Sequence, residues 1–264
     1  MDTLVVGAGA MGRWLGRALR ADAHDPVSLA FCDTDGTATR EAAKALGARA
    51  VAPGDDDAFD AVCIAVPIPA VSDAIAEHAP RAEQAIVDVT GWMAEPLTAM
   101  RTHAPECERA SFHPLFAPEN EPGNVPVVVD APGPTVEVIR DALAARDNNL
   151  FETTAAEHDE AMETVQARTH AAVLAFGLAA EPVDPAFHTP VSAALVDLVE
   201  QVAGGEPRVY ADIQATFDGA DDVADAAERI ASADREAFEA LYRSLGGDGI
   251  DGDEADDEPR ERDR

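Results

Sequence analysis

His113 stands in the run Ser111-Phe112-His113-Pro114-Leu115-Phe116-Ala117-Pro118-Glu119-Asn120, where a short apolar rise meets a rigid turn. Proline at 114 biases the preceding residue toward extended backbone, which lets the imidazole stand at a cleft edge instead of inside a helix. A histidine so placed can accept or hold a proton near neutral pH. A second run suits phosphate chemistry. Gly7-Ala8-Gly9-Ala10-Met11-Gly12 follows the β-branched stretch Thr3-Leu4-Val5-Val6 and leads into a helical pattern with Trp14, Leu15, Ala18 and Leu19 on one side. Gly7 permits a tight turn, Gly9 lets the backbone approach a diphosphate, and Gly12 lets the helix pack closely on the strand. The diphosphate then meets the free N–H groups of the helix start, at Ala10 and Met11.

Asp33 closes the next apolar run, Val27 to Asp33. It falls about twenty residues after the last glycine, where a carboxylate grips the ribose hydroxyls of a dinucleotide. An acid there repels the extra phosphate of NADP, so the expected cofactor is NAD. The alternative for Asp33 is a turn residue before Thr34-Asp35-Gly36.

These groups need a scaffold, and the chain supplies an alternating one. Strand-like runs at Ala48–Val51, Asp60–Val66, Ala85–Val89, Val125–Asp130 and Leu150–Thr153 are separated by helical patterns at Thr37–Leu46, Val71–His78, Glu95–His103 and Thr135–Ala145. Such alternation implies a parallel sheet with right-handed crossovers. Its carboxyl edge then gathers Gly7 to Gly12, Asp33, Val66-Pro67, Thr90-Gly91 and His113, with Val66 and Pro67 joining the cofactor residues. From 154 the periodicity becomes helical. Thr154-Ala155-Ala156-Glu157 is a capping box that starts a helix expected to reach about Ala180. Met162, Val165, Thr169, Val173 and Phe176 form its expected core stripe, and His158, Met162, Gln166 and His170 a neighbouring ridge. Three more helices are expected at Pro190–Val202, Arg208–Phe217 and Asp221–Leu245. The fold class is therefore α/β: a Rossmann-type parallel-sheet domain over 1–153, an all-helical domain over 154–245 that serves dimerisation, and an acidic disordered tail over 246–264.

Composition narrows the partners. Acidic residues number 51 against 19 basic, a net charge of −32, and Lys44 is the single lysine. Such a surface repels nucleic acid and anionic membrane. The excess is spread along the chain, as expected of a cytoplasmic protein from an extreme halophile; a DNA-mimicking acidic protein is the rival. Cys32, Cys63 and Cys107 show no CxxC spacing and suit a reducing compartment. No metal-ligand pattern is visible. No window approaches the length of a membrane span, and the strand starting at Thr3 leaves no room for a signal peptide.

The chain resembles the prephenate dehydrogenase family over about residues 3 to 245. The likeness is carried by the glycine run, Val66-Pro67, Asp88-Val89-Thr90, His113-Pro114-Leu115-Phe116-Ala117-Pro118, Glu157-His158-Asp159, Gln166-Ala167-Arg168-Thr169-His170 and Tyr210-Ala211-Asp212-Ile213. Very many enzymes share the glycine run; the histidine motifs in that order are far more specific. The resemblance implies oxidative decarboxylation of prephenate to 4-hydroxyphenylpyruvate in tyrosine biosynthesis, with hydride passed to NAD, in a homodimer whose helical domain closes the cleft. It implies that His113 accepts a hydrogen bond from the ring hydroxyl, a bond that strengthens as the hydroxyl becomes a carbonyl. Activity is then expected to fall on the acid side as His113 protonates. His170 is implied as a substrate contact, with Gln166 one turn earlier sharing that work. His158 reads as a structural residue of the first helical turn, Tyr210 and Asp212 as packing and capping, and Trp14 and Trp92 as core or cleft wall.

The sequence departs from the family in two places. The family often has a serine and a lysine after the fifth strand; Gly91 and Met93 stand there, with Thr90 as the nearby hydroxyl. Where the family has a carboxylate-binding arginine, counting back from Glu206-Pro207 gives Gln201. Arg168 and Arg208 are candidates to meet the substrate carboxylates. Arogenate, or another small acid oxidised with NAD(P), stays open as substrate. A β-hydroxyacid dehydrogenase or imine reductase has the same plan, but the former resembles enzymes with a catalytic lysine on a second-domain helix, and Lys44 lies in the first domain. A non-catalytic NAD-binding regulatory paralogue is the reading from another class.

Overall fold

A computed structural model describes residues 1–246. The chain divides into two compact units, 1–219 and 220 onward. The first unit holds eight strands: β1 (Asp2–Val6), β2 (Ser28–Cys32), β3 (Arg49–Ala50), β4 (Phe59–Ile64), β5 (Ala82–Asp88), β6 (Glu108–Phe112), β7 (Asn124–Ala131) and β8 (Asn149–Glu152). They form one sheet in the order β3-β2-β1-β4-β5-β6-β7-β8. Helices α1 (Ala10–Asp22), α2 (Gly36–Leu46), α3 (Val71–His78), α4 (Ala94–His103) and α5 (Pro134–Ala144) connect the strands.

The strands read as near-continuous apolar runs because both sheet faces are covered. Val5, Phe31, Val87 and Phe112 pack with Trp14 and Leu15 of α1 and Ile139 of α5. Leu4, Val6, Val62 and Ile64 turn to the other face and meet Ile75 of α3 and Met100 of α4. Burying each such side chain contributes about 1.5–3 kcal/mol.

All neighbouring strands run parallel except one pair: β6 and β7 are antiparallel, with Ser111 opposite Val128 and Phe112 opposite Val127. The expectation of a wholly parallel sheet is corrected here. A parallel return needs a crossover of a dozen or more residues, usually a helix, and the segment between Phe112 and Asn124 carries only a short 3-10 turn, Pro118–Asn120. The chain therefore folds straight back. His113 opens that connection, and its amide bonds to the Pro126 carbonyl at 3.1 Å.

The sheet ends at Glu152, and the capping box forms as expected: the Thr154 side chain accepts from the Glu157 amide, and the Glu157 carboxylate accepts from the Thr154 amide. The helical run then differs from a single straight helix. α6 (Ala155–Met162) passes through a π-helical segment, Glu163–Arg168, into α7 (Thr169–Ala179). The wider turn rotates every later residue, so the expected core stripe breaks. Met162 and Val173 are buried, but Val165 is 50% exposed and Ala167 is buried in its place. Thr169 is also exposed. π turns of this kind concentrate at functional sites. α8 (Pro190–Ala203) and α9 (Pro207–Thr216) complete the first unit. Met162, Ala167, Ile213 and Phe217 form a small apolar cluster with Trp92 and Leu115 against it.

The second unit, where one helix is expected, holds two: α10 (Ala220–Ser232) and α11 (Arg235–Ser244). Asp234 stops the first and caps the second, accepting from the Ala237 amide at 2.9 Å. The acidic tail falls, from residue 247 on, outside the described residues. Among the described residues no helix is long and apolar enough to cross a membrane, and no group of three or more His, Cys, Asp or Glu side chains could hold a metal ion.

Candidate active site

The glycine run turns at the end of β1. Gly7 has φ +102°, the left-handed region, and a Cβ there would collide with the Ala65 carbonyl. At Gly12 a Cβ would strike the Gly7 carbonyl. At Gly9 it would meet nothing within 4 Å, so this glycine is not required by packing within the chain. Gly9 is the N-cap of α1, with no side-chain cap and no acid in the first turn. The first-turn amides, with Ala10 exposed and Met11 half-buried, have no intrahelical acceptor. An open, uncapped helix start beside a glycine with free space fits a diphosphate.

Asp33 lies just past β2. Its Oδ2 accepts from the Ala8 amide at 2.7 Å and its Oδ1 from the Asp35 amide at 2.8 Å. The carboxylate is thus a turn residue that is also fixed against the glycine run. Val66 is half-buried and Pro67 exposed at the end of β4. These residues share one sheet edge and fit a dinucleotide.

At the ends of β5 and β6 a second group assembles. His113 is 7% exposed and His158, from α6, 3% exposed. His113 Nδ1 lies 2.9 Å from His158 Nε2. His158 Nδ1 lies 2.7 Å from Asp159 Oδ1. The two Asp159 oxygens also accept from the backbone amides of Met93 and Ala94, each at 3.1 Å. Gln166, in the π segment, brings Nε2 to 3.3 Å from His113 Nε2. Burial, and then the neighbouring His158, push the His113 pKa down to about 3. Burial thus favours the neutral imidazole at His113.

Gly91 sits against this ring: a Cβ there would lie 3.2 Å from Ile68 Cδ1 and 3.5 Å from His113 Nε2. Beneath it Asp88 is fully buried and accepts from the Thr90 amide at 2.9 Å and the Thr90 hydroxyl at 2.5 Å. Burial outweighs those bonds and pushes its pKa up to about 7. The Thr90 hydroxyl also lies 3.1 Å from the Trp92 carbonyl, so it is engaged within the chain.

The remaining expected residues are placed as follows. The His170 ring packs edge-on against Tyr210, centroids 4.9 Å apart. His170 Nδ1 and Gln166 Oε1 are buried and have no hydrogen-bond partner among the described residues. Arg168 is held by Glu163 at 3.2 Å and by the Thr164 hydroxyl at 3.1 Å. Arg208 lies 3.8 Å from Asp212. Gln201 is exposed near the end of α8 and is not bonded into the histidine group. Sequence reasoning gave Asp159 no role and read His158 as structural; the capping box at Thr154 and Glu157 fixed the helix but said nothing of what its buried side would meet.

The chain is similar to known proteins over nearly its whole length. Residues 15–125 match the model of the prephenate dehydrogenase nucleotide-binding domain. A 4-amino-4-deoxyprephenate dehydrogenase of Streptomyces pristinaespiralis is 30% identical over 92% of this chain and 89% of its own length. A probable arogenate/prephenate dehydrogenase of Methanocaldococcus jannaschii is 23% identical over 80% of this chain, which spans 51% of that protein. The same fold is seen in prephenate dehydrogenase from A. aeolicus, solved with hydroxyphenyl propionate and NAD+, at a TM-score of 0.68, with 13% identity, 92% of this chain and 96% of that one covered. With the glycine turn, the buried histidine at the sheet edge and a full-length relative at this identity, the chain belongs to the prephenate dehydrogenase family of oxidoreductases.

Proposed function

We propose that this chain is an NAD-dependent prephenate dehydrogenase, oxidising and decarboxylating prephenate to 4-hydroxyphenylpyruvate. The carrying observation is the buried His113 imidazole, with Gly91 packed against its Nε2 edge, on the same sheet edge as the glycine turn. When bound, NAD supplies the acceptor for the hydride that leaves ring carbon 4. Gly7, Gly9, Gly12 and the amides of Ala10 and Met11 would hold its diphosphate, Asp33 its ribose hydroxyls, and Val66 and Pro67 would flank it.

His113 takes the proton of the 4-hydroxyl as that oxygen becomes a carbonyl. The bond is stronger in the transition state than in the ground state, so it accelerates the step. The carboxylate on ring carbon 1 leaves as carbon dioxide, the electrons of the broken bond complete the aromatic ring, and the carbonyl oxygen becomes the phenol by taking its proton back from His113. Gln166 Oε1 and His170 Nδ1, buried without partners among the described residues, remain for the substrate, since buried polar groups are nearly always hydrogen-bonded. Arg168 and Arg208 are the candidates to meet the substrate carboxylates; Arg168 is engaged by Glu163 and Arg208 lies 3.8 Å from Asp212.

A second reading is favoured by the Streptomyces relative. A 4-amino group in place of the 4-hydroxyl would offer N–H donors to both His113 Nε2 and Gln166 Oε1. The deciding assay is NADH absorbance with NAD and, in parallel, prephenate, arogenate and 4-amino-4-deoxyprephenate, in roughly molar KCl. Prephenate as the best substrate by kcat/KM is the expected outcome; preference for either amine reassigns the substrate, and no turnover by folded, NAD-binding protein moves the function to a sensor. The reading includes a homodimer through the helices after 154, in keeping with exposed Leu178, Phe187 and Val191, which light scattering tests. It also includes a salty, reducing cytoplasm, in keeping with three free thiols and the acidic surface; a midpoint of unfolding that rises steeply with KCl is expected.

A further inference from the structure

Asp159 does two things at once. Its oxygens close the start of α4, whose N-cap Met93 has no side-chain cap of its own, by accepting the Met93 and Ala94 amides at 3.1 Å. Its Oδ1 also faces His158 Nδ1 at 2.7 Å. Two backbone donors and the positive end of a helix favour the ionised carboxylate.

An ionised carboxylate only accepts. With His158 neutral, its proton must then sit on Nδ1, where it meets Asp159. His158 Nε2 is left with a lone pair, 2.9 Å from His113 Nδ1, so His113 must carry its own proton on Nδ1. His113 Nε2 is thereby left bare. It faces the Gln166 Nε2 donor at 3.3 Å and lies against Gly91, where a Cβ would stand 3.5 Å from it. The opposite pair of neutral tautomers would set a lone pair of His158 against the carboxylate at 2.7 Å in a buried place, two acceptors with no proton between them.

We propose that Asp159 is a positioning residue that selects, through His158, the tautomer of His113 whose bare Nε2 faces the substrate. The same carboxylate ties that choice to the β5–α4 loop, which carries Gly91. When His113 takes the substrate proton on Nε2, its Nδ1–H already points at His158, and the new positive charge is one imidazole away from Asp159. The kinetic consequences rest on the proposed dehydrogenase reaction; the tautomers do not.

Histidine side-chain nitrogen NMR of the 15N-labelled full chain reads the tautomers directly, with assignments from single His113→Asn and His158→Asn variants. The expected wild-type spectrum shows protonated Nδ1 and bare Nε2 on both rings. A doubly protonated His158 with His113 protonated on Nε2, or the Nε2–H form of either ring, overturns the proposal. In Asp159→Asn the His158 and His113 signals are expected to lose the single tautomer, and kcat to fall at least about 100-fold, with KM and NAD affinity within about twofold of wild type. Asp159→Glu, which keeps the charge on a longer stem, is expected to restore part of kcat and the Nδ1–H signals. Unchanged tautomers in a folded Asp159→Asn overturn the proposal as well. If that variant does not fold, the wild-type spectrum decides. If the wild type turns over none of the three substrates, the proposed reaction fails and the spectrum still decides this inference.

Discussion

The dinucleotide edge and the histidine group sit on the same side of one sheet but are built in opposite ways. The first is a local object. Six consecutive residues, Gly7 to Gly12, make a backbone cradle, and Asp33 reaches it across a single neighbouring strand. The second comes from separated segments: His113 is 45 residues from His158 and 53 from Gln166, and Met93 is 66 from Asp159. In the cradle the working groups are amides, and the side chains matter by being absent. In the histidine group the working groups are side chains, and each is oriented by the next. A cradle is broken by adding atoms. A relay is broken by removing one hydrogen-bonding atom while leaving its shape.

The largest effect that would test this contrast is expected at the relay. His113→Asn keeps a polar side chain of similar reach but no ring base; kcat should fall by about 100- to 10,000-fold while NAD titration is unchanged. Near wild-type turnover in folded protein would remove His113 from the chemistry. The cradle is probed by a pair of substitutions. Gly12→Ala drives a methyl into the Gly7 carbonyl, and soluble, folded protein should be largely lost. Gly9→Val has nothing of its own chain within reach, so circular dichroism should be that of wild type while NAD affinity drops about tenfold or more, roughly 1.4 kcal/mol. Equal stability losses for the two would show that the space at Gly9 is not for a ligand.

A smaller effect is expected at Asp33→Asn. The amide can still accept from Ala8 or Asp35 but loses the charge that discourages a ribose phosphate, so the NAD-to-NADP affinity ratio should shrink several-fold, about 1 kcal/mol. Both affinities falling by one factor would confine Asp33 to shaping the turn.

A further test is stability against pH, where two buried groups of the histidine end pull opposite ways. The Asp88 pKa is raised from 3.8 to about 7, so between those values the folded state binds more protons and stability is lost as pH rises toward 7. His113 is lowered from 6.5 to about 3, so the unfolded state binds more protons in that window and stability is lost as pH falls. Asp88→Asn removes the first slope. Its unfolding free energy should gain on wild type between pH about 4 and 7, by at most about 1.4 kcal/mol per pH unit, read by denaturant titration at each pH. Parallel curves would mean that Asp88 titrates alike in the two states.

Much of the fold was legible in residues 1–153, because strand and helix periods differ and glycine, proline and capping residues punctuate them. The one antiparallel pair was missed where no helix intervenes between β6 and β7. The π turn at Glu163–Arg168 was missed because its effect on phase is not visible in a helical repeat. It exposes Val165 and buries Ala167.

By itself the sequence determined the glycine turn, the Asp33 position, the capping box and the place of His113 at a strand end, since each depends on backbone conformation within a few residues. Only the tertiary structure decided which side chains meet His113. Crossover connections bring the end of β6, the start of α4 and the first turns after Thr154 to one point, and excluding water there makes a 2.7 Å contact between His158 and Asp159 a determinant of where a proton sits. No local pattern encodes that, because the partners share no segment and acquire their roles only when buried together.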